Sequence, residues 1–158
     1  MITLTLPYLP PSDNHAYENV PLVRRAGKVV AGGRRLSAEG REFKRVATDH
    51  LARYHTNELQ FFADKKNTRL IVWCIFYFEE LLNKSYPKKT PTKYKQLDGH
   101  NRIKLLLDTI AELTGRDDSL YWDVVISKRE GTPKTEVTFW DLDNEEVFLV
   151  LGKGGARV

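Results

Sequence analysis

A single cysteine, Cys74, stands in a chain of 158 residues. No disulfide can form within one copy, so the fold must rest on a buried core, and a reducing compartment such as the cytoplasm is the expected setting. No apolar run approaches the roughly 20 residues needed to cross a bilayer. The longest extends only from Leu70 to Phe78. The opening MITLTLPYLPP has neither a basic leader nor a long apolar stretch, so no signal peptide is expected. His15, His50, His55 and His100 are not spaced as a zinc site, and one cysteine cannot complete one. There is no Walker-type phosphate loop, because Gly152-Lys153-Gly154-Gly155 has no helix after it. No serine sits in a nucleophile elbow. These absences argue against a disulfide scaffold, a membrane protein, a zinc enzyme, a nucleotide-driven machine and a serine hydrolase, and no small-molecule cofactor is expected.

What is present is a charge asymmetry. The net charge is +4, but residues 1–97 hold 17 Lys and Arg against 9 Asp and Glu, while residues 98–158 hold 8 against 12. A basic front half can attract a polyanion while the acidic half keeps carboxylates for a metal. Charge of this kind also occurs on plain solvated surfaces.

Hydrophobic residues make up 41% of the chain, enough for one domain with a real core, expected over residues 1–151 with 152–158 as a loose tail. Ile2 to Leu6 alternates as a half-buried strand, ended by Pro7, Pro10 and Pro11. The residues that follow, through Gly27, Gly32 and Gly33, show no clear period and read as a long loop in which Val29-Val30 could pair. Ser37 is an expected N-cap for a helix whose apolar stripe is Phe43, Val46, Ala47, Leu51 and Tyr54. Gly40 should weaken its first turn, by under about 1 kcal/mol relative to alanine. Thr68 to Phe78 reads as a central strand buried on both faces. Asn83 to Gln96 carries five lysines, two prolines and no acid, and reads as a self-repelling mobile loop. A second helix is expected over Asn101 to Leu113, followed by strands at Ser119–Lys128, Thr135–Trp140 and Val147–Leu151, joined by connections of hairpin length. The order β-α-β-α-β-β, with a possible extra C-terminal strand, predicts an α+β fold: two main helices packed on a mixed sheet.

The chemistry concentrates between Asp98 and Asp118. At about 100° per residue, Ile103, Leu106, Leu107 and Ile110 share one face of the second helix. Asn101, Lys104 and Asp108 share the other, with Asp98 just ahead and Asp117-Asp118 just after. Leu105 falls near the polar face, where it is expected to be exposed or to touch a partner or a loop near the site. Carboxylates grouped at a helix entrance and a strand entrance suit an open divalent-metal site, and such ions support phosphodiester hydrolysis. A nearby lysine could offset phosphate charge. Each residue also has a plain structural reading: a helix cap for Asp98, an i,i+4 pair for Lys104 and Asp108, a turn for Asp117-Asp118.

The run Asp98-x-x-Asn101-x-x-Lys104-x-x-x-Asp108, then Asp117-Asp118 and a strand, resembles the signature of the RusA family of Holliday-junction resolvases. Pro10-Pro11-Ser12-x-Asn14-His15 and Ser37-x-Glu39-Gly40 agree with the front of that family, so the likeness covers residues 2–140 in element order. The resemblance implies a homodimer, of a kind often encoded by phages or prophages. It would bind four-way DNA junctions and nick paired strands with Mg²⁺ or Mn²⁺ in recombination and repair, within a bacterial or phage-infected cell. It implies essential acids at Asp98 and Asp118 and a cleavage-supporting lysine at Lys104. Asn101, Asp108 and Asp117 match motif positions, with Asp117 a further possible metal ligand. One departure stands out: His100 occupies a position that is acidic in the family's founding member. A neutral imidazole there could still bind a metal and would favour Mn²⁺ over Mg²⁺, or it could simply face solvent.

For DNA, the expected contacts are Arg24, Arg25, Lys28, Arg34 and Arg35, with Lys84, Lys88, Lys89, Lys93 and Lys95. Arg41, Lys44 and Arg45 could add a stripe on the first helix, and Tyr86 and Tyr94 could stack on unpaired bases. Two other functions compete: a junction-binding protein that has lost efficient cleavage, with His100 as its marker, and an interaction domain whose acids only cap and turn.

Overall fold

The computed structural model describes residues 1–143 except 21, 22, 26, 27, 31, 66, 96 and 98, and only the backbone at 23–25, 28–30, 63 and 64. The expected strand at Val147–Leu151 and the tail at 152–158 lie outside the described residues.

Four strands, β1 (Ile2–Leu6), β6 (Leu70–Phe78), β7 (Tyr121–Glu130) and β8 (Lys134–Asp141), form the main sheet in the order β1-β8-β6-β7. β8 runs antiparallel to both β1 and β6, whereas β6 and β7 are parallel. The sheet is therefore mixed, and the α+β expectation holds. Between β6 and β7 the chain passes through α4 (His100–Thr114), the helical crossover that a parallel neighbour requires.

Two sequence expectations about these strands need correction. β7 and β8 do not form a hairpin, because β6 lies between them. The connection at 131–133 instead crosses the end of β6, where Gly131 N–H donates to Phe78 O (2.8 Å). A gap of two strand spacings, about 10 Å, is within reach of three extended residues. Nor is β6 fully buried on both faces. Leu70, Val72, Cys74, Phe76 and Phe78 are buried under the helices, but Trp73, Ile75 and Tyr77 on the other face are half-exposed.

The helical layer is α2 (Ala38–Tyr54), α3 (Thr56–Asp64) and α4, with the one-turn α1 (Asp13–Ala16) beside them. Phe43, Ala47 and Leu51 of α2 are buried, as their spacing predicts, but Tyr54 is 64% exposed and lies against the His50 ring. α3 has no helix-breaking residue to announce it: His55 ends α2 and immediately starts α3. His50 and His55 both reach the backbone of Thr5 on β1 (3.1 Å to its oxygen), so these histidines dress the β1 edge. Cys74 is buried, and burial pushes its thiol up to about 12.

The segment read as a long loop is largely an antiparallel ribbon. β2 (Tyr17–Asn19) pairs with β5 (Arg34–Leu36), and β3 (Val23–Arg25) with β4 (Lys28–Val30). Both pairings share one centre, so that Tyr17 faces Leu36 and Arg25 faces Lys28. Val29-Val30 does pair, within β4.

Ser37 caps α2, its Oγ accepting from Gly40 N–H (3.0 Å). Gly40 is there because α1 is close: a Cβ on it would stand 2.2 Å from Ala16 O. Helix propensity alone favours Gly40→Ala by up to about 1 kcal/mol. The clash is with backbone, so the variant is expected to be less stable instead, by about 1–3 kcal/mol in urea unfolding.

Candidate active site

α4 enters pressed against the sheet. A Cβ on Gly99 would lie 2.8 Å from Ile126 Cγ2 and 3.6 Å from Lys128 Cε, so only glycine lets the chain approach β7 this closely before the first turn. Leu105, Leu106, Leu107, Thr109, Ile110 and Ala111 are then buried. Leu105, expected near the wet face, is 3% exposed and belongs to the core. The buried arc is wider than the aliphatic stripe because α1 and α2 flank α4 while the sheet lies beneath it.

The polar row is as projected. His100, Asn101 and Lys104 are exposed and Asp108 is half-exposed. Lys104 Nζ lies 3.4 Å from Asp108 Oδ2. The same carboxylate oxygen accepts from Tyr17 OH (3.4 Å), at the root of the ribbon. Burial, then the Asp108 charge, holds the Tyr17 phenol above its ordinary range, so it remains a donor. Arg34 lies over the Tyr17 ring (4.9 Å) and bonds Asp13 (3.0 Å). Lys104, Asp108, Tyr17, Arg34 and Asp13 thus form one chain of contacts joining the helix to the ribbon.

At its far end α4 stops at Gly115, in the left-handed conformation. Arg116 then turns inward: its guanidinium donates to Lys65 O and Thr68 O and lies 5.8 Å from the Phe62 ring. Asp117 caps the following 3-10 turn (Asp118–Leu120), its Oδ1 accepting from Ser119 N–H (2.9 Å). That interaction with Ser119 holds its carboxyl below the usual range. Asp118 is exposed. The Tyr121 hydroxyl is buried and has no hydrogen-bond partner among the described residues. Burial holds it well above the usual phenol range, with the charges of Asp118 and Asp108 adding to the shift. Both acids are therefore electrostatic neighbours of one side chain.

The structure pairs Lys104 with Asp108, gives Asp108 and Asp118 a common neighbour in Tyr121, and leaves His100 on the first turn of α4. Fifteen helical residues span about 22 Å, which is the scale separating the helix entrance from the Asp117-Asp118 turn. Asp98 lies outside the described residues. Among the described residues, no group of three His, Cys, Asp or Glu side chains is placed to hold a metal. The donors themselves fit a hard divalent cation: exposed carboxylate oxygens, with one oxygen of Asp117 already committed to the turn.

The basic residues fall into two groups. Arg34 and Arg35 are paired with Asp13 and Glu18. Lys84 and Lys95 are both paired with Glu80, which supplies the anion that their own loop lacks. That loop is also organised: Leu82 and Tyr94 bridge its ends, and Asn83 N–H donates to Lys93 O (2.9 Å). Lys88, Lys89 and Lys93 are exposed, as are Tyr86 and Tyr94. Arg24, Arg25 and Lys28 lie on the outer pair of ribbon strands. On α2, Arg41 donates to Leu36 O, Lys44 meets Glu112, and Arg45 meets Glu42 and Asp49.

Sequence reasoning missed Tyr17, Arg102, Arg116 and Tyr121. Arg102 donates to Pro10 O and lies over Phe78 (5.7 Å), fixing the entrance of α4 to the Pro10-Pro11 segment. Both arginines lie within the Asp98–Asp118 segment, but nothing in one sequence marks a charged residue as turned inward. Among the described residues, no helix is long and apolar enough to cross a membrane.

No protein of curated function matches this chain. The family model described as Endodeoxyribonuclease RusA matches residues 9–139, which takes in the ribbon, the helical layer and three of the four strands of the main sheet, leaving out β1. The chain belongs to the RusA endodeoxyribonuclease family.

Proposed function

We propose that this endodeoxyribonuclease is selective for four-way DNA junctions, which it nicks with Mg²⁺ or Mn²⁺ as a homodimer in recombination and repair, inside a bacterial or phage-infected cell. The observation that carries the reading is the Tyr17–Asp108–Lys104 contact, which roots the basic ribbon on the helix face bearing the acidic motif. A surface that binds phosphate thereby adjoins carboxylates suited to a metal.

In this reading Asp98 and Asp118 are metal-binding acids at opposite ends of α4, with His100 a further ligand beside the first and Asp117 beside the second, too far apart within one copy to share a single ion. A bound divalent ion supplies charge neutralisation at the phosphate and a more acidic water. Lys104 is exposed and free to turn toward a phosphate oxygen, and Asp108 keeps it on the acidic face until one arrives. Asp108 is thus a positioning residue, and Asn101 lines the same face one turn earlier. Asp117 shapes the turn that presents Asp118. Arg24, Arg25 and Lys28 on the ribbon, with Arg34 and Arg35 at its root, contact the phosphates of one arm. Lys84, Lys88, Lys89, Lys93 and Lys95 contact another.

Two measurements test this. With a labelled four-way junction, Asp118→Asn is expected to lower nicking at least about 100-fold. Junction binding should be kept or tightened, since a negative charge facing phosphate is gone. In the same assay His100→Asp should raise activity in Mg²⁺ relative to Mn²⁺. Nicking that survives Asp118→Asn, or an unchanged metal preference, contradicts these assignments. The second measurement is the salt dependence of junction binding by an Arg24→Ala, Arg25→Ala, Lys28→Ala triple variant. Its log–log slope should shallow by about 0.9 for each phosphate that the ribbon no longer neutralises. An unchanged slope removes the ribbon from the interface.

A further inference from the structure

β7 starts just after the Asp118 turn and runs back along the sheet toward the other end of α4. Lys128, near the end of β7, pairs with Phe76, which is buried under the helices, so the lysine side chain rises from that same face of the sheet. This is the face on which α4 enters: a Cβ on Gly99 would lie 3.6 Å from Lys128 Cε and 3.6 Å from Phe76 Cδ2. The stem of Lys128 therefore passes beside Gly99, the residue between Asp98 and His100 in the chain. Its ammonium, one bond further, stands at the helix entrance.

The charge of this lysine has no structural partner. Lys44, Lys104 and Lys134, the other lysines of helices and strands whose side chains are described, each meet a carboxylate. Lys128 is exposed and makes no hydrogen bond or ion pair among the described residues. Packing of its stem beside a glycine, rather than an acid, sets where the charge stands. Lys104 lies about 6 Å along α4 from His100. One lysine from the helix and one from the strand beneath it thus bracket the α4 entrance.

We infer that Lys128 is a further catalytic residue, its ammonium donating to a non-bridging oxygen of the phosphate under attack at the α4 entrance.

The inference rests on the metal-dependent cleavage proposed above, with an ion at Asp98 and His100. In hydrolysis a water oxygen bonds to phosphorus and the bond from phosphorus to the leaving oxygen breaks. The water gives up a proton to solvent, and the leaving oxygen takes one from it. Negative charge shifts among the phosphate oxygens as this happens, and a fixed cation counts most where that charge develops. Lys128 keeps its proton throughout and acts through its charge and its hydrogen bond. The lysine adds a donor that the helical motif does not contain, because it comes from a strand 24 residues later than Lys104.

Single-turnover nicking of a labelled four-way junction in Mn²⁺, at saturating protein, tests this. Lys128→Met keeps the stem beside Gly99 and removes the charge. Its nicking rate is expected to fall about 100-fold. Junction affinity, measured without divalent ion, should weaken by less than about tenfold, since only one phosphate contact is lost. Lys128→Cys should lose the rate as well. Alkylating the folded Lys128→Cys variant with bromoethylamine rebuilds an ammonium of lysine length at that position, while Cys74 stays buried, and should restore nicking. Native-like nicking by Lys128→Met, a loss confined to affinity, or no recovery on alkylation would each overturn the proposal. A native chain that does not nick the junction overturns the underlying reading and the inference with it, so the native control separates the two failures.

Discussion

The guanidinium of Arg116 is driven into the protein at the point where α4 ends, 7% exposed and donating to Lys65 O and Thr68 O. Burying a cation is costly unless its hydrogen bonds are met, and charge-assisted bonds of this kind contribute about 1.5–3 kcal/mol each. The two accepting carbonyls belong to the segment that opens β6, so the end of the crossover helix is tied to the strand from which the crossover began. Arg102 does the same at the other end, holding the first turn to Pro10. The polar face between these anchors inherits a fixed position. Asp117 and Asp118 follow Arg116 directly, and their turn can go only where the buried arginine lets it start.

Around that fixed helix the electrostatics divide into committed and available charge. Asp108 is committed to Lys104 and Tyr17, Asp117 to Ser119, Arg34 and Arg35 to acids beside them, and Lys84 and Lys95 to Glu80. These interactions are largely solvent-exposed, so each adds little to stability. Their effect is geometric: they hold long side chains and a two-stranded ribbon near the acidic motif. Asp118, His100, Lys88, Lys89 and Lys93 are exposed, which is what groups that meet a metal or a phosphate from outside require.

Much of this was legible in the sequence because it follows from period and composition. Alternation gave β1, and the Phe43-Ala47-Leu51 spacing gave the buried face of α2. The 3.6-residue period separated the buried side of α4 from Asn101, Lys104 and Asp108. The ribbon was hidden because its strands are three residues each and carry no alternation, so pairing rather than patterning defines them. Leu105 was misplaced because a helical projection assumes one covered side, and α4 is flanked as well as floored. Gly40 looked like a defect in a helix, whereas its role lies in a contact with Ala16 from another segment. The inward turn of Arg102 and Arg116 likewise depends on carbonyls far away in the chain, which no local pattern announces.

The central claim is that Asp118, on the turn fixed by Arg116, binds the divalent ion used for cleavage. Anomalous scattering from crystals of the full chain soaked in Mn²⁺ tests it most directly. The account requires a peak at coordination distance, about 2.0–2.2 Å, from an Asp118 carboxylate oxygen. Well-ordered density for Asp118 with no such peak, or manganese bound only elsewhere, would contradict it.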